Sequence, residues 1–471
     1  MIKNIVQLSD LIPCSGPGSR SIGYTKFHKA LIRIGDCAVI DHIINSFENV
    51  EKIYITLGYE AEYIQEYIQH TGRKNVEFIP VENWNSSQIA SFKQIPSYVF
   101  DEPLYYNACD NWSTSVATVD KNTWFTCTPE NAQYYDTSED VVYSGISYIK
   151  DSKEYYDILQ ATDINRNDLL LLQQLNNLQS VALDDWYDVG NEQSYHTVKQ
   201  DASFSVLDKT QQEIYNVNNR IVKLFHNKPQ IHLNNNYPHP TPIEHSERGL
   251  SYQRVDGKVN PFNGDFDKLL NNLEDTWRFS LNNNIPCVNK ALWQDKTWER
   301  FDQIVQQFPE FGGTIMINDS YVDCTRIVEN IDWDLVSTGV VGACHGDLVV
   351  DNIIVGEDQI HYIDHRPGVV NDIFYDICKF YHSLRLHNRN LENYNLTQDA
   401  NGYIIKISLS DEDSIRLNQF QLSPIYHQNK RKVELGVGCI WLSMSPLNVD
   451  KNLNKFLFLL AIEQLKKHER I

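Results

Sequence analysis

The first 200 residues alternate short apolar runs with amphipathic segments, and this alternation restricts the fold strongly. Residues 5–11 and 52–57 are apolar runs of strand length, whereas residues 37–47 and 60–70 carry apolar side chains at helical spacing. Strands that alternate with helices form a parallel sheet that is covered by helices. We therefore predict a Rossmann-like α/β domain over residues 1–200, with a mixed but mostly parallel sheet.

A polar segment separates this pattern from the rest of the chain. Residues 200–219 are mostly polar, and the chain of 471 residues is too long for a single ordinary core. We place the domain boundary at residue 200, which makes residues 201–471 a second domain. From residue 262 onward that domain is mainly helical, except in two stretches at residues 340–354 and 359–363.

These two stretches carry the side chains with the clearest chemistry. His345-Gly346-Asp347 is followed by Asn352, and Asp364 ends the next apolar run. Phosphoryl transfer from ATP requires a carboxylate that orients the acceptor hydroxyl and oxygen ligands that hold Mg²⁺ against the phosphates. One Asp, one Asn and a second Asp at this spacing provide that set.

The pattern H-G-D-x-x-x-x-N followed by I-D resembles the aminoglycoside phosphotransferase and choline kinase superfamily. The resemblance extends to a downstream Y-D-I-C-K segment and to the last two helical segments. It implies an α+β, two-lobed, protein-kinase-like domain in which Asp347 is the catalytic base and His345 supports its loop. It also implies that Asn352 and Asp364 are Mg²⁺ ligands and that Lys223 contacts the ATP phosphates.

A glycine-rich turn is the first candidate site of the amino-terminal domain. Its members follow the first predicted strand, with a lysine shortly after them: Gly16, Gly18, Ser19, Arg20 and Lys29. Glycine allows backbone N–H groups to approach phosphates closely, and Arg and Lys neutralise their charge. The turn is therefore a candidate triphosphate-binding loop.

Two aspartates complete a second resemblance. Asp110 ends a later apolar run, at the strand end where ligands bind in such sheets, and Asp188 lies in the segment W-Y-D-V-G. With the turn, this order resembles the sugar-phosphate and phosphocholine nucleotidyltransferases, whose pattern is G-x-G-[ST]-R, P-K-A-L, a strand-end Asp and W-x-D-[VI]-G. By that resemblance Asp110 and Asp188 share a Mg²⁺, and the turn, Arg20 and Lys29 hold a nucleoside triphosphate. A substrate phosphate would then attack its α-phosphorus.

Two positions depart from this family pattern. Pro13 precedes the turn and removes one backbone donor, and His28 stands where the family has the Pro of P-K-A-L. Either change alters the nucleotide preference or marks a degenerate site, and the sequence leaves both interpretations open.

Composition restricts the partners. The formal net charge of -21 argues against nucleic acid, because phosphate backbones reward Lys and Arg. The nine cysteines form no C-x-x-C pair, no signal-peptide pattern is visible, and the apolar residues 456–462 are too few for a membrane span. We expect a cytoplasmic protein that binds small molecules; the sequence leaves its oligomeric state, including a homo-oligomer, open.

The leading hypothesis is a bifunctional transferase. The second domain would use ATP and Mg²⁺ to phosphorylate a small hydroxylated metabolite: an amino alcohol, a polyol or a sugar. The first domain would activate that phosphate with a second nucleoside triphosphate, CTP being favoured, for surface polysaccharide (capsule) synthesis. The alternatives are an active kinase with a degenerate nucleotidyltransferase scaffold, a non-catalytic nucleotide-binding regulator, and an aminoglycoside resistance enzyme.

Overall fold

A computed structural model describes most of the chain. It covers residues 8–21, 23–47, 50–127, 142–164, 169–202, 212–226, 237–259, 261–262, 264–366, 371–386, 394–399 and 402–468. Contacts divide the chain into two compact units, each of which draws on two stretches of sequence. The first unit contains residues 1–229 and 241–254, and the second contains residues 230–240 and 255–471.

The first unit alternates strands and helices. In chain order its elements are β1 (Leu8–Cys14), β2 (Arg33–Ile34), β3 (Cys37–Ala38), α1 (Val39–Asn45), β4 (Val50–Leu57), α2 (Ala61–Thr71), β5 (Val76–Pro80), α3 (Gln88–Phe92), β6 (Leu104–Asn107), β7 (Asn111–Trp112), β8 (Thr123–Cys127), β9 (Val142–Ile149), α4 (Ser152–Ala161), α5 (Leu169–Leu172), β10 (Gln179–Ala182), β11 (Tyr187–Asp188), α6 (Glu192–Asp201), β12 (Gln212–Val217), β13 (Arg220–Phe225), β14 (Pro242–His245) and β15 (Gly249–Gln253).

Seven of these strands form one sheet in the order β10-β8-β9-β6-β1-β4-β5. Strand β9 runs antiparallel to both of its neighbours, and every other neighbouring pair is parallel. The predicted α/β fold with a mixed, mostly parallel sheet is therefore confirmed. Strand β1 is central, and its Leu11, Ile12 and Cys14 are buried because both faces of the sheet are covered.

Pro13 is accommodated in this central strand by the register of its neighbours. It pairs with Thr56 of β4, whereas the pairing of β1 with β6 ends at Leu11 and Tyr106. Pro lacks a backbone donor, so it is tolerated where one side of the strand has no ladder partner. The residue therefore fits the sheet and does not disrupt it.

A second sheet of the first unit has the order β12-β13-β15-β14. Arg33 Nε lies 3.2 Å from Glu213 Oε1, the Tyr215 hydroxyl donates to the Leu31 carbonyl at 2.7 Å, and Asn216 N–H donates to the Asp36 carbonyl at 2.8 Å. These contacts join the second sheet to the amino-terminal part of the chain. The division by contacts therefore differs from the boundary predicted at residue 200.

The second unit is mainly helical, with short strands. Its elements are β16 (Lys258–Val259), α7 (Gly264–Asn283), β17 (Pro286–Val288), α8 (Lys296–Gln307), β18 (Thr314–Ile317), β19 (Ser320–Asp323), α9 (Cys324–Glu329), α10 (Trp333–Ser337), β20 (Thr338–Val340), β21 (Ile353–Val355), β22 (Ile360–Tyr362), α11 (Ile373–Arg385), β23 (Tyr394–Gln398), β24 (Tyr403–Ile407), α12 (Asp411–Gln421), α13 (Pro424–Met444) and α14 (Lys451–Lys466).

The core of the second unit lies between its helices. Helices α11, α13 and α14 bury Phe380, Trp441 and Phe458, and α7 adds Trp277. The β21–β22 hairpin pairs Ile353 with Tyr362, so the residues just outside it become neighbours. Within the described ranges, no helix combines the length and apolar character that a membrane crossing requires.

Two candidate catalytic sites

The glycine-rich turn of the first unit is held closed by its own hydrogen bonds. Gly18 has a φ of +58°, and a Cβ at this position would lie 2.9 Å from the Cδ of Lys29. The Ser21 N–H and hydroxyl both donate to the Gly18 carbonyl at 2.8 Å. Glycine is therefore needed at position 18 both for the backbone conformation and for the close passage of the lysine side chain.

His28 ties the turn to the short helical segment that carries Lys29. Burial, assisted by the charge of Lys29, lowers the pKa of His28 to about 4, so the imidazole is neutral. Its Nε2–H donates to the Gly16 carbonyl at 3.0 Å, and its Nδ1 accepts from the Ala30 N–H at 3.1 Å. The residue that departs from the family pattern thus supports the turn directly.

Lys29 and Asp110 form an ion pair in the turn between β6 and β7, three residues after β6 ends. Lys29 Nζ lies 2.7 Å from Asp110 Oδ2. Burial alone would raise the pKa of Asp110, but the charge and hydrogen bond of Lys29 and the charge of Arg20 outweigh burial and lower it. Burial likewise opposes the charge of Lys29, yet the carboxylate raises the pKa of Lys29 above its usual value. Asp110 is therefore ionised at neutral pH.

Asp188 lies beside Asp110 because β11 pairs with β7, which follows Asp110 directly. A Cβ built on Gly190 would lie 3.0 Å from Asp110 Oδ2 and 3.1 Å from Asp188 Oδ1, so both carboxylates converge on this glycine. Burial and the charge of Asp110 raise the pKa of Asp188 to about 6. Two carboxylates that repel each other at one site favour a divalent cation between them.

The oxygens of Asp110 and Asp188 fit Mg²⁺. This ion prefers oxygen ligands and is commonly bound through one or two carboxylates together with substrate phosphates. Among the described residues, no group of three or more His, Cys, Asp or Glu side chains forms a candidate metal site. Ser19 and Arg20 lie exposed on the turn.

In the second unit, the H-G-D loop is organised by Asp376 of α11. The Asp376 carboxylate is buried and accepts the N–H groups of His345 at 2.6 Å and Gly346 at 2.9 Å. Gly346 has a φ of +81°, and a Cβ there would lie 2.5 Å from the Arg366 carbonyl oxygen. Helix α11 therefore fixes the backbone just before Asp347.

His345 supports the loop from the other side. Burial lowers the pKa of His345 to about 4, although the charge of Asp347 opposes this. The neutral imidazole donates from Nε2 to the Ile363 carbonyl at 2.9 Å and accepts the Asp347 N–H at Nδ1, at 3.3 Å. It thus connects the loop to the residue before Asp364.

Two cations hold the Asp347 carboxylate. Lys379 Nζ lies 2.9 Å from Oδ1, and an Arg366 guanidinium nitrogen lies 2.9 Å from Oδ2. Burial would raise the pKa of Asp347, but these charges outweigh burial and lower it. Neither cation is predicted as a site residue. The signal for Lys379 is its place three residues after Asp376, because positions i and i+3 share one face of a helix.

Asn352 and Asp364 lie at the open end of the β21–β22 hairpin. The Asn352 Nδ2 donates to the Asp347 carbonyl at 2.9 Å, so its Oδ1 is the side-chain atom that could bind a metal ion. The Ile363 N–H donates to the Asn352 carbonyl at 2.9 Å. Asp364 has a φ of +62°. An amide and a carboxylate oxygen on adjoining backbone segments fit Mg²⁺.

Lys223 is buried on β13, with its Nζ 5.2 Å from the centroid of the Tyr252 ring. Contacts group this strand with the first unit. The role of Lys223 at the ATP phosphates stays a prediction.

Comparisons with known proteins concern part of the chain. No protein-family model matches it. Over 71 residues it is 39% identical to the bifunctional protein GlmU of Methanococcus vannielii, which covers 15% of this chain and 17% of that protein. The chain thus spans less than a fifth of the length of the curated relative that it matches.

Solved structures give similarities that cover more of the chain at lower sequence identity. CTP:phosphocholine cytidylyltransferase (LicC) from Streptococcus pneumoniae is 15% identical and covers 41% of this chain and 99% of its own, with a TM-score of 0.35. The inositol-1-phosphate CTP transferase from T. maritima is 12% identical over 42% and 98% of the two chains, with a TM-score of 0.33. The chain is similar, over part of its length, to proteins named for nucleotidyl transfer.

Proposed function

We propose that the chain is a bifunctional transferase that first phosphorylates a small hydroxylated metabolite and then attaches a nucleotidyl group to that phosphate. The observation that carries this proposal is the convergence of Lys29, Asp110 and Asp188 beside the glycine-rich turn. The loop of Asp347, which His345 and Asp376 support, is the proposed site of phosphoryl transfer.

In the phosphoryl-transfer step, Asp347 orients the acceptor hydroxyl and receives its proton. The hydroxyl oxygen forms a bond to the γ-phosphorus of ATP, and the bond from that phosphorus to the bridging oxygen breaks. ADP leaves with the electron pair. Mg²⁺, when bound by Asn352 and Asp364, would neutralise charge on the phosphates.

In the nucleotidyl-transfer step, an oxygen of the substrate phosphate attacks the α-phosphorus of a nucleoside triphosphate. The bond between the α-phosphorus and its bridging oxygen breaks, and pyrophosphate leaves with the electron pair. Gly16, Gly18 and Arg20 hold the triphosphate, and Lys29 neutralises its charge near Asp110. CTP is the expected nucleotide, and the proposed product serves surface polysaccharide synthesis.

The test incubates the full chain with ATP, CTP, UTP and Mg²⁺ against a panel of alcohols, sugars and hydroxy acids, with detection by mass spectrometry. We expect Asp347→Ala to abolish the phosphorylated product and Asp110→Ala to abolish only the nucleotidylated product. The exposed Asp358 and Asp101, each changed to Ala, are the matched controls and should leave both products unchanged.

Two outcomes would contradict the proposal. Phosphorylation without nucleotidylation for every panel member would make the first unit a degenerate scaffold. Binding of nucleotides with neither product would make the chain a nucleotide-binding regulator.

A further inference from the structure

Positive charge is concentrated around the candidate base of the second unit. The cation cluster consists of Lys296, Arg300, Arg366 and Lys379. Arg366 and Lys379 contact the two oxygens of Asp347 directly, each at 2.9 Å. Lys296 interacts electrostatically with the other three cations and with Asp347. Two of the four cations therefore contact the Asp347 carboxylate directly, and Lys296 interacts with the same carboxylate.

Helix α8 contributes two members of the cation cluster. Lys296 is its first residue and Arg300 follows one turn later, so both side chains lie on the same helical face. Like charges at this spacing destabilise a helix, and both residues are half-buried. Burial, together with repulsion from Lys379, lowers the pKa of Lys296. This arrangement is unfavourable in the absence of a further negative charge.

The protein offers Arg300 little compensation. Its Nη1 donates to Gln303 Oε1 at 2.6 Å and lies 3.8 Å from the exposed Glu299, whereas its buried Nε has no hydrogen-bond partner among the described residues. Buried donors are nearly always paired in folded proteins, so this Nε–H is available to donate to a further acceptor.

We propose that the acceptor of the phosphoryl transfer is an anion, a hydroxylated compound whose carboxylate, phosphonate or phosphate group is held by the cation cluster. This inference rests on the proposed kinase function of the second unit and names its substrate class. The cation cluster would orient the acceptor hydroxyl toward Asp347, and it would repel amino alcohols and aminoglycosides, which are cations. The other source of such an anion is the γ-phosphate of ATP.

The test separates these two sources of the anion. The full chain is saturated with Mg²⁺ and β,γ-imido ATP, which fills the γ-phosphate position. It is then titrated calorimetrically with three two-carbon alcohols whose second group is anionic, neutral or cationic: 2-hydroxyethylphosphonate, ethylene glycol and ethanolamine. We expect the phosphonate to bind at least tenfold more tightly than the other two.

Substitutions then assign the binding to the cation cluster. Lys296→Met and Arg300→Met, combined, should weaken phosphonate binding at least tenfold and leave the affinity for imido ATP within twofold, which also shows that the variant is folded. Lys290→Met removes an exposed charge just before α8 and should change neither affinity. The single variant Lys296→Gln should give an intermediate loss.

Three results would overturn the inference: ethanolamine binding as tightly as the phosphonate, no phosphonate binding to the nucleotide-saturated protein, or equal losses of nucleotide and phosphonate affinity in the double variant. The last result would assign the cation cluster to the phosphates of ATP. Failure of imido ATP itself to bind with Mg²⁺ would instead refute the proposed kinase function.

Discussion

Asp188 is the residue whose protonation most directly limits the first site. Its pKa of about 6 is raised by burial and by the charge of Asp110, whose own pKa is lowered. Below pH 6 Asp188 is protonated, so it loses the charge that would hold a divalent cation. We expect kcat/KM for nucleotidyl transfer to fall about tenfold per pH unit below roughly pH 6. A pH profile that stays flat down to pH 5 would contradict this assignment.

In the second site, Asp376 holds the backbone just before Asp347, although it would touch no substrate. Asp376→Ala leaves the N–H groups of His345 and Gly346 without their acceptor, at a cost of about 1–3 kcal/mol. We expect the kcat of phosphoryl transfer to fall at least about tenfold, roughly 1.4 kcal/mol. Hydrogen exchange at these two amides should become faster. Unchanged exchange, or an equal effect of the exposed Asp358→Ala, would show that Asp376 has no positioning role.

At the scale of elements, the ion pairs of the buried Glu213 join strand β12 to the amino-terminal part of the first unit. Glu213 pairs with Arg33 at 3.2 Å and with Lys26 at 3.0 Å. Glu213→Ala would deprive the buried Arg33 of this carboxylate, so we expect a loss of about 3 kcal/mol in the free energy of unfolding. Urea denaturation followed by tryptophan fluorescence measures it. The exposed Glu247→Ala should cost less than about 0.5 kcal/mol, and an equal effect of both changes would contradict the role of this ion pair.

Strands and helices with a clear hydrophobic period in their own sequence could be predicted. The partners of strands, which depend on tertiary packing, could not. Hydrophobic period alone predicts β4 and α2, and the parallel order then brings Asp110 to a strand end. Nothing local indicates that β12 joins the first unit, because a strand's partner is chosen by packing. Nothing local indicates that Lys296 and Arg300 lie near Asp347 either, because they precede it by about 50 residues in the sequence.

At the scale of the molecule, the contact boundary predicts which fragments fold. A fragment of residues 1–200 lacks β12, β13 and β15 and exposes the apolar surface that buries Tyr215, Val222 and Leu224 in the complete unit. We expect this fragment to aggregate and a fragment of residues 1–254 to elute as a single species in size-exclusion chromatography. A single species for residues 1–200 alone would support a boundary at residue 200.

The chain passes from one unit to the other three times, and this has a consequence for its synthesis. Tyr237 is fully buried in the second unit, where its hydroxyl accepts the Trp277 indole N–H at 3.2 Å and its ring packs edge-on against Tyr362. Tyr362 is translated about 125 residues later, which at about 5–20 residues per second takes about 6–25 s. During that interval the growing polypeptide exposes the Tyr237 side chain, because its partner Tyr362 does not yet exist. We therefore expect ribosome-associated chaperones to bind the growing chain at this segment.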